Sequence, residues 1–279
     1  MECSKKRELQ LIAAKIRKTA LQTVQAAGSG HIGGSFSIAD ILSVLYFEEM
    51  NINPSNADDP DRDRLVLSKG HCSPAMYATL ALRGFFSVEH LSTFRKLESD
   101  LSGHVEIHVP GVDMSSGSLG QGLSVALGMA MYAKAKKKTY RTFCILGDGE
   151  IQEGQVWEAA MCAGFYKADN LIAFVDNNKL QLDGSLEEVM SSYPIGDKFR
   201  AFGWNVLEIN GHDVEQIADA IELASSMKEK PTVIVADTVK GKGVTLFENN
   251  VNFHGGQPKT EEWQECYAQL DAEIAELED

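Results

Sequence analysis

The stretch at 142–150 most constrains how this chain can fold. Thr142-Phe-Cys-Ile-Leu146 is a short, bulky apolar run ending in Gly147-Asp-Gly149. It reads as a strand buried on both faces that breaks into a loop at its carboxyl end. Residues 151–165 carry helical spacing, and 171–175 form a second buried run that leads into Asp176-Asn-Asn178. A strand-helix-strand unit of this length predicts two parallel strands whose carboxyl ends share one edge of the sheet. Asp148, expected on an exposed loop, and Asn178 are then neighbours. Paired strands stand about 4.8 Å apart, so a carboxylate and an amide oxygen can share one hard cation at about 2.1 Å. This half-site calls for more oxygen ligands. A diphosphate would supply them, because a helix starting at 151 presents free amide N–H groups and a positive dipole end.

The rest of the chain extends this pattern. Residues 9–26 repeat apolar side chains at helical spacing and stop at Gly28 and Gly30, delivering a loop that carries His31. A second amphipathic helix is expected over 37–50, capped by Ser35 or Ser37. Residues 64–67 read as the first strand, with Ser68-Lys-Gly-His71 at its carboxyl end, where open α/β sheets bind ligands. Ser115-Ser-Gly-Ser118 caps an expected helix over 119–135, apolar almost all round and therefore buried. Further strands are expected at 204–209 and 232–236 around a helix over 214–227, and an acidic helix at 260–277. The fold class is α/β, an open, mostly parallel sheet of at least five strands with helices on both faces. Residues 1–279 are expected to form one domain.

A hydrophobic content of 44% is enough for one large core, and a net charge of -14 argues against a nucleic-acid or anionic-membrane surface. No apolar run approaches the roughly 18 residues of a membrane span. The start, Met1-Glu-Cys-Ser-Lys-Lys-Arg7, reads as the approach to an amphipathic helix, so a cytoplasmic location is expected. The five cysteines lack metal-type spacing; Cys144 and Cys162 read as core residues and Cys72 as the one near chemistry. No strand is followed by a Gly-x-Gly-x-x-Gly word, which argues against a nicotinamide dehydrogenase.

Gly147-Asp-Gly149, followed about thirty residues later by Asn177-Asn178, resembles the thiamine diphosphate signature. The flanking words resemble the transketolase family in particular: Ser29-Gly-His-Ile-Gly-Gly-Ser35, Ser68-Lys-Gly-His71, Gly103-His-Val-Glu106, Gly117-Ser-Leu-Gly-Gln-Gly122, Gln152-Glu-Gly154, Leu182-Asp-Gly184 and Thr238-Val-Lys-Gly-Lys-Gly243. The likeness runs from about residue 10 to about residue 258. It departs from the family at Ile32 and Val105, where proline is frequent.

The resemblance implies a diphosphate-binding domain of the thiamine diphosphate fold and a set of roles. Asp148, Asn178 and the Leu180 carbonyl would hold magnesium, with calcium or manganese as possible substitutes. His71, Gly149 and Asn178 would hold the diphosphate with Lys240 close by, and Gly117 and Leu119 would touch the aminopyrimidine. Glu153 and Glu158 match cofactor-site carboxylates near the family's dimer interface. His31, His104 and His254 would serve the two-carbon ketol unit and the acceptor aldehyde, since imidazole with its ordinary pKa of about 6.5 both gives and takes protons near neutrality. His90, His108 and His212 receive no role.

Two other readings stay open: another member of the same cofactor class, such as a deoxyxylulose-phosphate synthase or a specialised sugar ketol-transferase, and a noncatalytic cofactor-binding subunit. Histidines at 31, 104 and 254 together favour ketol transfer. Full-length transketolases resemble this chain only over their first half, and their second half brings the pyrimidine-binding domain. The resemblance therefore implies a separate carboxyl-terminal subunit of similar size as partner, in a two-plus-two heterotetramer acting on sugars or sugar phosphates.

Overall fold

A computed structural model describes all 279 residues. In chain order the strands are β1 (Arg64–Leu67), β2 (Thr142–Gly147), β3 (Leu171–Asn177), β4 (Asn205–Asn210) and β5 (Thr232–Asp237). The helices are α1 (Cys3–Ala27), α2 (Gly33–Ser37), α3 (Ala39–Val44), α4 (Ser73–Arg83), α5 (Gly122–Ala135), α6 (Gly154–Phe165), α7 (Leu186–Val189), α8 (Ile195–Ala201), α9 (Val214–Ser226) and α10 (Trp263–Glu278). The five strands form one sheet in the order β1-β2-β3-β5-β4, and every pairing is parallel. The strand-helix-strand unit behaves as expected: β2 pairs directly with β3, Gly147 opposite Asp176.

Two cores explain why β1, β2, β3 and β5 are mainly apolar, while the edge strand β4 is only partly buried. Side chains alternate across a pleated strand, and here the alternation divides the apolar residues cleanly. Leu65, Phe143, Ile145, Ile172, Phe174 and Ile234 pack with α1, α3, α4 and α9 on one face. Val66, Cys144, Leu146, Ala173, Val175 and Val233 pack with α5, α6 and α8 on the other. No helix is long and apolar enough to cross a membrane.

Several element boundaries depart from expectation. The helix expected over 37–50 is broken into α2, α3 and a π-helical turn, Leu45–Glu49. Ser35 and Ser37 do not cap it, because their hydroxyls donate to the His31 carbonyl and to the Asp176 carboxylate. Ser115–Ser118 likewise does not cap α5, which begins at Gly122 with Gln121 before it. That helix is not buried all round: Val125 and Tyr132 are exposed. The helix expected to start at 151 begins at Gly154, and residues 150–152 form a 3₁₀ turn. Glu150 causes this. Its buried carboxylate accepts the N–H of Gly147 and Gly120 and the hydroxyl of Ser68, tying three loops together where a helical turn was expected. The last helix spans Trp263–Glu278.

Candidate active site

Because all strands are parallel, the loops after β1, β2, β3 and β5 leave the same edge of the sheet. They surround a cavity of about 410 Å³. His31, His71, His104, Gly117, Leu119, Asp148, Gly149, Glu153, Asn178, Leu180, Lys240 and His254 all line it. Residues up to 223 positions apart thus meet in one place. Glu158 is the candidate residue that stands elsewhere. It is exposed on α6, on the same helical stripe as Met161 and Phe165, which are 57% and 77% exposed.

Asp148 is buried rather than exposed, at 2%. Its carboxylate accepts main-chain N–H groups only, Gly149 at 2.8 Å and Lys179 at 2.5 Å. Burial, then the negative Asp176, pushes its carboxyl up to about 7. The Asn178 amide is oriented on both sides: Nδ2 donates to Asp176 Oδ2 at 2.8 Å and Oδ1 accepts the Leu180 N–H at 3.1 Å. The Leu180 carbonyl accepts from the Lys240 ammonium at 3.0 Å. A carboxylate, an amide oxygen and a main-chain carbonyl are hard donors of the kind magnesium takes. The carboxylate lacks a cation of its own, so the set fits such an ion.

Two buried lysines line the cavity. Lys69 is buried beside Asp176; burial opposes its charge, but that carboxylate raises its pKa and keeps it an ammonium. Lys240 is lowered to about 8 by burial and by Lys69. Lys69 and Asp176 stand within Ser68-Lys-Gly-His71 and Asp176-Asn-Asn178, and no motif gave either a role. Asp176 is the hub, since its carboxylate also accepts the hydroxyls of Ser37 and Thr238 and so ties α2 and the loop after β5 to β3. The signal was available in the sequence as the one acidic residue within the buried β3 run, because a carboxylate there requires several donors.

The imidazoles form a cluster. Ring centroids lie 5.1 Å apart for His31 and His71, 5.3 Å for His31 and His254, 5.1 Å for His71 and His254, and 6.2 Å for His31 and His104. Burial and then nearby positive charge lower all four: His31 to about 4, His254 to about 3, His71 well below the ordinary value, and His104 in the same direction. The ordinary imidazole pKa expected from sequence therefore does not apply in this cavity. His31 Nδ1 is buried without a hydrogen-bond partner. A polar cavity with such an orphan and with the Lys240 ammonium at its wall suits a ligand with polar and anionic atoms. Gly149 allows close approach, because a Cβ there would stand 3.2 Å from Gln181. Cys72 lies beneath the site, fully buried, its thiol pushed up to about 11 by burial.

Comparison with known proteins agrees with this architecture. The family described as "Transketolase, thiamine diphosphate binding domain" matches residues 8–276. The 6-deoxy-6-sulfo-D-fructose transketolase subunit SqwG of Clostridium sp. (strain MSTE9) is 45% identical over 269 residues, covering 96% of this chain and 98% of that protein. An apulose-4-phosphate transketolase subunit from Phocaeicola vulgatus is 43% identical over 270 residues, covering 97% of this chain and 96% of that one. The crystal structure of transketolase from Campylobacter jejuni superposes with a TM-score of 0.88 at 36% identity, over 96% of this chain but 45% of that chain. The chain thus spans less than half the length of that transketolase and almost the whole of the two subunits. With that match over nearly its full length, and with a parallel sheet that gathers its loops as described, the chain belongs to the transketolase family and carries that family's thiamine diphosphate-binding domain.

Proposed function

We propose that this chain is the amino-terminal subunit of a two-component transketolase that moves a two-carbon ketol unit from a ketose to an aldose with thiamine diphosphate and magnesium. The observation that carries the reading is the convergence of four imidazoles with Asp148, Asn178 and Leu180 in one cavity, on a chain as long as two known transketolase subunits. Ketol transfer needs proton donors and acceptors for sugar hydroxyl and carbonyl oxygens. Four histidines lining the same cavity favour it over a purely structural cofactor-binding subunit.

The roles are those that the resemblance to the family implies. Asp148, Asn178 and the Leu180 carbonyl hold magnesium, for which calcium or manganese can substitute. His71, Gly149 and Asn178 bind the diphosphate with Lys240 close by, and Gly117 and Leu119 contact the aminopyrimidine. When bound, the cofactor supplies a carbon nucleophile and an electron sink for cleavage next to a carbonyl. His31, His104 and His254 give or take protons at the sugar oxygens. Burial, and after it the chain's own cations, lowers them, so a bound anion offsets the second cause.

Both subunits named above act, by their names, on sugars bearing an anionic group, a sulfonate or a phosphate. The substrate class proposed for this chain is accordingly an anionic ketose. A carboxyl-terminal subunit with the pyrimidine-binding domain completes the site in a two-plus-two assembly. Tyr132 on α5 and Met161, Phe165 and Tyr166 at α6, all more than half exposed, give it an apolar face to cover. Glu158 shares that face and Glu153 lies at the cavity rim between the two subunits. We take residues 1–279 as one domain acting in the cytoplasm. The test is ketol transfer from an anionic ketose by the purified chain with thiamine diphosphate and magnesium, with and without a co-expressed partner. Turnover only with the partner is expected, and robust turnover by the chain alone overturns the two-component reading.

A further inference from the structure

His212 lies outside the cavity, in the turn after β4, yet it reaches the loop that carries Lys240. Its Nε2 accepts the main-chain N–H of Val239 at 2.8 Å. A ring nitrogen that accepts carries no proton, so the proton of the neutral ring is on Nδ1. That nitrogen faces Asp40 Oδ2 at 2.8 Å. Asp40 is itself buried and paired with the equally buried Arg17, which, together with His212, holds its carboxyl below the ordinary range against the effect of burial. The chain of contacts therefore has one polarity: guanidinium, carboxylate, Nδ1–H, Nε2, amide.

The loop it reaches is pinned at several other points, among them the Thr238 hydroxyl, which donates to Asp176, and the Lys240 carbonyl, which accepts the Asn249 N–H at 2.9 Å. Thr238 N–H donates to the Asn177 carbonyl at 3.2 Å and Gly241 N–H to the Gly33 carbonyl at 3.0 Å. Between them, Val239 N–H has a side chain as its acceptor. The next residue, Lys240, is 2% exposed and reaches both the Leu180 carbonyl and His254 at 3.0 Å.

We propose that His212 is a positioning residue for Lys240: in its Nδ1-protonated form it transmits the orientation set by Arg17 and Asp40 to the Val239 amide, fixing where the Lys240 ammonium stands. The consequence for cofactor binding rests on the function proposed above; the tether itself does not. The charged groups around this crevice are Arg17 on α1, Asp40 on α3, Lys242, and Glu273 and Glu276 on α10.

Two amide substitutions separate the two ends of the ring. In His212→Gln the side-chain oxygen stands near the place of Nε2 and accepts the Val239 N–H. In His212→Asn the shorter amide donates to Asp40 but does not reach Val239. Hydrogen exchange of residues 238–241 in the full chain is expected to be about tenfold faster in the Asn variant, for the loss of one hydrogen bond, and near wild type in the Gln variant. Thiamine diphosphate affinity with magnesium, measured by titration on the chain with its partner, is expected to fall about tenfold for Asn, within the range for groups that support metal-site residues, and to be restored by Gln. Nitrogen-15 spectra of the wild-type chain near neutral pH are expected to show Nε2 unprotonated. Equal exchange in the two variants, or a proton on Nε2, overturns the proposal, and the spectrum decides even if a variant fails to fold. A wild-type complex that binds no thiamine diphosphate instead overturns the proposed function and leaves the tether standing.

Discussion

The Lys240 ammonium lies 3.0 Å from Nδ1 of His254, so this nitrogen accepts and the imidazole keeps its proton on Nε2. Burial and then this ammonium lower His254 to about 3. Lys240→Met removes the second cause and leaves the first. The His254 pKa is expected to rise by one unit or more while staying below about 6.5, as followed by proton NMR titration of the histidine ring signals. An unchanged titration would show that burial alone sets the value.

Asp148 yields a prediction with a definite sign. Its carboxyl stands at about 7 in the folded chain against an ordinary value of 3.8. The ligand-free fold therefore holds the proton more tightly than the unfolded chain, and this contribution to stability is complete below pH 3.8 and lost as pH rises through about 7. Asp148→Asn should flatten that part of the profile, so the melting temperature of wild type relative to the variant falls between pH 5 and 7.5. The full shift corresponds to about 4 kcal/mol at most. With thiamine diphosphate and magnesium the order reverses, because the variant no longer binds the ion.

The histidines should divide by function. His104→Ala and His254→Ala are expected to lower kcat by about 10²- to 10⁴-fold, the usual contribution of a proton-transfer group, with little change in cofactor affinity. His71→Ala should weaken thiamine diphosphate binding more than it lowers kcat at saturating cofactor. Titration calorimetry beside initial rates separates the two patterns. One shared pattern in all three variants would refute this assignment.

The apolar face of α5 and α6 should carry assembly. Phe165 is 77% and Tyr132 56% exposed, so charge at either position costs the isolated fold little. The double substitution Phe165→Glu and Tyr132→Glu is expected to abolish co-purification with the partner while leaving the melting temperature of the lone chain within about 2 °C, the scale of two near-neutral surface changes. Sedimentation of the mixed subunits reads the outcome.

Some parts of the molecule resisted sequence reasoning for identifiable reasons. The break of the 37–50 helix and the start of α6 at Gly154 rather than 151 both follow from long-range polar contacts. Ser37 is drawn to Asp176, 139 residues away, and Glu150 to Ser68 and Gly120. Periodicity counts apolar positions and does not register such contacts. The exposed side of α5 was missed for a related reason. An all-apolar helix reads as buried, whereas here Val125 and Tyr132 remain uncovered in the single chain.

The sequence alone determined the strands, their parallel direction and the words that meet at the site, because apolar runs bounded by glycine and asparagine encode strand ends locally and a crossover of this length has one handedness. Only the tertiary structure decided the electrostatics. Asp148 at about 7, His254 at about 3 and Lys240 at about 8 are values that none of these side chains has in water. They arise because folding removes water from a cavity where a carboxylate hub, two lysines and four imidazoles stand within a few ångströms. His212 makes the same point from outside the cavity: a loop histidine without a sequence-level role is joined to Asp40, 172 residues away, and to the amide beside Lys240. Such a contact depends on how α3, the turn after β4 and the loop after β5 pack together, and no local pattern in the chain specifies it.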